Sequence, residues 1–290
     1  MKIGAVIISF NPDLDVLRAN VDSLKKQVSQ IVIVDNGSRN INEINQLVKN
    51  DNINFIYEGK NVGIAQATND AFSYFQKENY KWIITMDQDS VLPDQAINKY
   101  LKHTHRVTGL IASIQKPIKE MTINGRRVTL SKEGTIEYPS KIDKSRKIIA
   151  SGSLISVEAW KLVGGFDEEL FIDAVDFDFN MKLLEAGFSI EQINIEMKHK
   201  LGSPVSKIIF GRTIYSFNHS AFRKYYIARN SLIMAKRYNN YSQERKLLFN
   251  YFIKILLVED NKINKIIAFA RGLKDGIKYN TGSQQQKEKR

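Results

Sequence analysis

Cysteine is absent from the 290 residues. That excludes disulfides, cysteine-ligated zinc and a thiol nucleophile, and it is compatible with a reducing compartment. No stretch reaches the roughly 18 uninterrupted apolar residues that a membrane span needs. The apolar start, residues 3–10, is closed by Asn11-Pro12-Asp13 with no small-residue cleavage site after it, so it reads as a buried strand and not as a signal peptide. The turn at 9–13 contains no Gly-x-Gly-x-x-Gly loop, which argues against a Rossmann dehydrogenase. No internal repeat is visible. Acidic residues run short in one region: residues 199–290 hold 5 Asp+Glu against 19 Lys+Arg.

What is present is ordinary for a globular chain, 43% hydrophobic and 26% charged residues. The length fits one large domain, or one domain with an appendage. The net charge of +12 suggests nucleic acid, an anionic membrane or a phosphorylated substrate as partner. Its distribution is uneven. Residues 1–198 hold 24 Lys+Arg and 26 Asp+Glu, a net of −2, so the remaining third carries +14. We divide the chain into a body, residues 1–204, and a basic, helical C-terminal region, residues 205–290.

Along the body, continuous apolar runs alternate with helical spacing. Residues 3–10, 31–34, 53–57 and 82–86 read as strands covered on both faces. Leu14, Leu17, Val21, Leu24 and Val28 space as a helix, Ile41 to Val48 as a short one, and 63–76 as a third. A further helix is expected to open near Pro93. This pattern predicts an α/β fold with an open, mainly parallel sheet flanked by helices. Such sheets bind ligands beyond the C-terminal ends of their strands. Three polar clusters fall there: 9–13, 35–38 and 87–90.

Alternation then weakens. A strand is expected at 109–114, a hairpin with an Asn124-Gly125 turn at 122–128, a strand at 148–156 and a helix at 177–186 ended by Gly187. From about Ser203 the chain reads as helices.

Asp87-Gln88-Asp89 is the sharpest chemical feature. If strand geometry persists, both carboxylates point to one side, and their repulsion is relieved by a divalent cation. Oxygen ligands suit Mg²⁺ or Mn²⁺ and phosphate oxygens. A solvated turn with helix-capping residues is the plainer reading. Asp35-Asn36-Gly37-Ser38 is either an Asx-turn or the acceptor of a nucleobase imino N–H. Asn61-Val62-Gly63 is either a helix start or a place where backbone amides approach a ligand. Between 166 and 179, carboxylates alternate with Phe166, Phe171, Phe177 and Phe179, so part of this acidic run is buried and able to supply a general base. His199 stands alone and by itself reads as structural.

Together these residues resemble the family 2 glycosyltransferases, nucleotide-sugar enzymes of the GT-A fold. The elements occur in the family's order: residues 6–11, 33–38, Asn61-Val62-Gly63 with Ala67 and Asn69, Asp87-Gln88-Asp89, 164–168, and Val175-Asp176-Phe177-Asp178. Met86 to Ser90, His199-Lys200-Leu201-Gly202, and Arg223-Lys224-Tyr225-Tyr226 with Arg229-Asn230 give a narrower resemblance, to bacterial rhamnosyltransferases of surface polysaccharide synthesis. The resemblance implies dTDP-L-rhamnose as donor, with related UDP-hexose and galactofuranose enzymes as the alternative, and a saccharide or lipid-linked acceptor. It implies that Ser9, Phe10 and Asn11 line the nucleoside pocket and that Asp35 binds the base. Asn61, Gly63 and Gln88 fall within its donor-binding motifs. Asp87 and Asp89 would hold Mn²⁺ or Mg²⁺ on the diphosphate, with His199 a further metal or diphosphate contact. Ser151 and Gly152 would sit beside the donor sugar and the acceptor. Asp176 matches the family's base, in a motif usually written Glu-Asp; Val175 stands in place of that Glu. Inversion at the anomeric carbon is implied in the same way.

The C-terminal region has an apolar segment, 243–258, with a polar stripe of Lys246, Asn250 and Lys254, followed by Ile263, Ile266, Ile267, Ala270, Leu273 and Ile277 at helical spacing. It reads as a helix pair packed on the body or on a second copy in a homodimer. Equally, it reads as an interfacial element on an anionic bilayer, peripheral to the inner face of the cell membrane. A nucleic-acid-binding protein and a catalytically silent sugar-nucleotide module are the competing function classes. The first is disfavoured because the polar strand ends carry acids, so no nucleic acid is expected as a partner.

Overall fold

In the computed structural model, residues 1–49, 53–117, 120–123, 126–129, 148–199, 205–209 and 212–280 are described. The chain forms two compact units. One comprises Met1–Ile118, Ser131–Phe171 and Val175–Lys200; the other comprises Lys119–Leu130, Ile172–Ala174 and Leu201–Arg290.

The first unit begins with β1 (Ile3–Ser9), α1 (Leu14–Lys25), β2 (Gln30–Asp35), α2 (Ile41–Val48), β3 (Ile53–Tyr57), α3 (Ile64–Lys77) and β4 (Trp82–Asp87). Each strand is a short apolar run stopped by polar turn residues, and each helix buries one stripe. Asp13 caps α1 by accepting from the N–H groups of Asp15 and Val16, and Leu17, Val21 and Leu24 of that helix are buried. Then follow β5 (Ser90–Val91), α4 (Ala96–Leu101), β6 (Thr108–Pro117), β9 (Ser153–Ser156), α5 (Val157–Leu162), α6 (Val175–Glu185) and β10 (Ser189–His199). A hairpin of β7 (Glu120–Ile123) and β8 (Arg126–Thr129) intervenes and belongs to the second unit.

The sheet order is β3-β2-β1-β4-β9-β6-β10-β5. Pairings β3/β2, β2/β1, β1/β4 and β6/β10 are parallel, whereas β9 runs antiparallel to both β4 and β6. The expected α/β fold with a mainly parallel sheet is therefore what forms. Its core is continuous through Ile7, Ile33, Ile84, Leu154 and Met197.

Four local expectations are corrected. The fourth strand ends at Asp87, and Gln88 and Asp89 occupy a turn, so the same-side argument for two strand carboxylates does not hold. Of the strand expected at 148–156 only Ser153–Ser156 is extended, because Gly152 takes φ 73°. The helix expected to open near Pro93 opens three residues on, at Ala96, after Gln95 in left-handed conformation. The region after Ser203 starts not with helices but with an antiparallel hairpin, β11 (Val205–Ile209) and β12 (Arg212–Ser216). The β7/β8 pairing matches the expected hairpin; its Asn124-Gly125 turn lies outside the described residues.

In the second unit α7 (Ala221–Tyr238), α8 (Tyr241–Leu257) and α9 (Lys262–Lys278) follow. The small faces of Gly272 and Gly276 let α9 close on α7: a Cβ on Gly272 would overlap the Tyr225 carbonyl oxygen, and one on Gly276 would lie 2.8 Å from that of Arg229. Two lysines of this basic region are internal. Lys224 Nζ lies 2.6 Å and Lys265 Nζ 3.1 Å from the buried carboxylate of Glu259. Burial alone would raise the Glu259 pKa, but the hydrogen bonds from Lys224, Ser216 and Lys265 hold it below the usual range. Among the described residues, no helix is long and apolar enough to cross a membrane.

Candidate active site

The strand ends carry the polar clusters, and hydrogen bonds tie them to one another. At the end of β1, Ser9 Oγ donates to Asp35 Oδ1 across the register pair Ser9–Asp35 (3.2 Å). The Asn11 N–H donates to Ser38 Oγ (2.7 Å), and Asn11 Oδ1 accepts from the Arg39 N–H (2.9 Å). Phe10, 45% exposed, donates its N–H to Gln88 Oε1 at 2.8 Å, while Gln88 Nε2 returns toward the Phe10 carbonyl at 3.4 Å. The glutamine between the two aspartates thus clamps the end of β4 to the end of β1.

Asp35 is fully buried. Its Oδ2 accepts from the N–H groups of Gly37 (3.1 Å) and Ser38 (2.8 Å), which is the Asx-turn. With Ser9 that makes three acceptances at a carboxylate able to take about four. The loop that opens α3 lies against this turn: the Val62 N–H donates to Asn36 Oδ1 at 2.7 Å. Asn61 Oδ1 accepts from the Gly63 N–H at 3.0 Å. Gly63 has φ 91°, and a Cβ there would sit 2.7 Å from the Phe171 carbonyl oxygen, which accepts from the Ile64 N–H at 2.7 Å. Only glycine meets both requirements.

At β4 the Asp87 N–H donates to Ser151 Oγ (3.0 Å), Ser151 Oγ lies 3.1 Å from Ser90 Oγ, and Asn20 Nδ2 donates to the Asp87 carbonyl (2.6 Å). Thr85 Oγ1 donates to the Ala150 carbonyl, and Tyr100 OH donates to the Gly152 carbonyl. Burial raises the Tyr100 pKa, consistent with a permanent donor. A Cβ on Gly152 would collide with Met197 Sδ and Ser113 Oγ. Ser151 and Gly152 are therefore locked against the Asp87 turn. Asp87 is exposed and Asp89 half-buried. The β5/β10 ladder pairs His199 with Ser90, one residue from Asp89, although 109 positions separate them in sequence. The His199 side chain lies outside the described residues. Among the described residues no cluster of three or more His, Asp or Glu is assembled for a metal. Two carboxylates at a turn, with a diphosphate completing the shell, still match how Mg²⁺ and Mn²⁺ are held.

Asp176 stands half-buried in the first turn of α6. Of the aromatics around it in sequence, Phe166 and Phe179 are buried and Phe171 and Phe177 half-buried: Phe166 stacks on Phe179 at 4.2 Å, and Phe72 packs edge-on to Phe166. Asn69 organises this side. Its Oδ1 accepts from Trp160 Nε1 (3.0 Å) and the Phe166 N–H (2.9 Å), and its Nδ2 donates to the Phe166 carbonyl (2.8 Å) and Glu168 Oε1 (3.0 Å).

Sequence reasoning missed an acidic pair here. Burial first, then each other's proximity, raises the Glu58 pKa; burial and then Glu168 raise that of Asp70. Twelve positions apart (Asp70 within α3, Glu58 just after β3), they gave no joint signal in the sequence.

The sequence model of Glycosyl transferase family 2 matches residues 5–161, and a dTDP-rhamnosyl transferase, RfbF of Shigella flexneri, is 31% identical over 297 residues, 97% of each chain. The chain belongs to glycosyl transferase family 2. It is a glycosyltransferase, and a nucleotide sugar is its donor. Its fold is that of solved GT-A enzymes. The crystal structure of S. aureus TarS 1–349 superposes with TM-score 0.53 at 14% identity, covering 97% of this chain and 73% of that one. GalNAc-T7, solved with UDP, GalNAc and Mn²⁺, superposes with TM-score 0.52 at 15% identity, covering 82% and 50%.

Proposed function

We propose that this glycosyltransferase moves L-rhamnose from dTDP-L-rhamnose to a saccharide or lipid-linked acceptor, with inversion. The observation that carries the donor assignment is the full-length similarity to a dTDP-rhamnosyl transferase. Phe10 offers an exposed ring at the end of β1 beside Ser9 and Asn11, suited to the nucleoside. The remaining acceptor capacity of Asp35 would take the thymine imino N–H. Asn61 and Gly63 bring backbone close to the donor, and Gln88 keeps the two strand ends together around it. Ser151 and Gly152 support the sugar side.

In the reaction the acceptor hydroxyl oxygen attacks the anomeric carbon as the bond from that carbon to the diphosphate breaks. The hydroxyl proton passes to Asp176, and dTDP leaves with the bonding pair. Proton removal by a positioned base contributes about 10²–10⁴ in rate. Mn²⁺ or Mg²⁺, held by Asp87 and Asp89 with His199 in register beside them, would offset the charge that develops on the leaving diphosphate.

A thermal-shift panel of dTDP-rhamnose and UDP-hexoses, each with Mn²⁺, Mg²⁺ or chelator, tests this. Metal-dependent stabilisation by dTDP-rhamnose is expected. Stabilisation by a UDP-hexose alone would replace the rhamnosyl assignment, and stabilisation indifferent to chelator would remove the metal.

A further inference from the structure

Three of the four residues before α6 adopt backbone conformations that side-chain-bearing residues rarely take. Phe171, Asp173 and Ala174 have φ of 63°, 63° and 65°. Such conformations persist where surroundings over-determine them, and they gather at functional sites. The Phe171 carbonyl is held by the Ile64 N–H; Ile172 and Asp173 are held by residues of α7. Arg223 grips the Asp173 carboxylate through two nitrogens: Nε lies 3.1 Å from each oxygen and Nη2 2.9 Å from Oδ1. Asn230, fully buried, donates from Nδ2 to the carbonyls of both Ile172 and Asp173 at 2.8 Å. Arg229 Nε donates to Asn230 Oδ1 at 2.9 Å. A guanidinium has only donors, so it fixes which end of the Asn230 amide faces it and turns the NH₂ to the two carbonyls. Arg229 is itself seated over the Tyr225 and Tyr226 rings, 5.7 and 4.8 Å from their centroids.

We propose that Arg223, Arg229 and Asn230 are positioning residues for catalysis: they hold residues 172–174 in the left-handed bend that sets how the chain enters α6 and so where Asp176 stands. The grip and the gripped segment lie in one compact unit, and Asp176 follows Ala174 by two residues along the chain. The proposal rests on Asp176 being the base. It also gives a physical reason for arginine at both places. Lysine carries the charge but not the fork that meets two carboxylate oxygens, and it is a poorer partner for stacked tyrosines.

The test uses the whole chain with dTDP-L-rhamnose and Mn²⁺, reading dTDP release with water as acceptor, donor Kd by calorimetry and Tm. Arg223→Lys and Asn230→Ser are each expected to slow release about 10²-fold, the cost of a small misplacement of a reacting group, while donor Kd stays within twofold. Arg229→Gln, one step further away, is expected to lose less, with Kd again unchanged. Release within threefold of wild type in both Arg223→Lys and Asn230→Ser overturns the proposal. So does a donor Kd that weakens in step with release, the mark of a general structural role. Asp176→Asn is run alongside: wild-type release in that variant sinks the base assignment itself, whereas an inactive Asp176→Asn beside active Arg223→Lys and Asn230→Ser sinks only the positioning role.

Discussion

At the scale of single residues, the site is held by groups that never need to touch a substrate. Asn69 uses all of its amide on Trp160, Phe166 and Glu168, and Gln88 uses its own on the Phe10 backbone. Sequence made Asp87, Asp89, Asp35 and Asp176 conspicuous because a carboxylate after a buried strand or beside aromatics is unusual. It left Glu58 and Asp70 invisible, because nothing in their spacing places them together. That pair has a pH consequence. A carboxyl whose folded pKa is raised binds its proton more tightly in the native state, so stability falls as pH rises above the ordinary value of 4.5 through the raised one. Glu58→Gln keeps a donor toward Asp70 and removes the charge. It is expected to raise Tm at pH 7.5 and to leave it unchanged at pH 4; equal shifts at both pH values would show that the gain is not electrostatic.

At the scale of elements, periodicity located β1 to β4 and α1 to α3 because their apolar runs are uninterrupted and their turns are marked by Asn, Asp, Gly and Pro. It did not show β10 (Ser189–His199), whose alternation is broken by the adjacent polar Glu191 and Gln192 and which pairs with β6 from 81 positions upstream at Ser189–Thr108. Nor did it show the β11/β12 hairpin. Helical spacing did reveal α9, but not why Gly272 and Gly276 stand in a helix, where each costs up to about 1 kcal/mol relative to Ala. Backbone contact with α7 supplies the reason. Gly272→Val is accordingly expected to destabilise by about 1–3 kcal/mol or more through overpacking, read as a lower urea midpoint at unchanged slope. A smaller loss would mean that α9 can slide on α7 without cost.

At the scale of the whole molecule, the net charge of +12 divides into a balanced body and a basic final third. Part of that excess is internal: Lys224 and Lys265 neutralise Glu259 in the interior. The rest is outside, where Lys262, Arg271, Lys274 and Lys278 of α9 are exposed alongside Ile263 (75%), Ile267 (45%) and Ile277 (67%), and α8 exposes Phe249 (63%). Basic and apolar groups exposed together suit an anionic bilayer more than a second copy, whose equal charge would repel. The whole chain is expected to pellet with vesicles containing anionic lipid, not with neutral ones, and to be released as salt is raised. Binding to both kinds alike would remove the electrostatic part, and concentration-dependent dimerisation without vesicle binding would favour the second copy.

The sequence by itself determined the fold class, the positions of the first four strands along the chain and the positions of the acidic and glycine-bearing turns. Those follow from local rules: buried parallel strands must be apolar, and turns must break them. Only the tertiary structure decided that Asp87 is tied to Ser151 and Gln88 to Phe10, that His199 lies in register with Ser90 beside Asp89, and that the segment 172–174 is gripped by α7. Each of these depends on a pairing across 50 or more positions, and separation along the chain carries no trace of it.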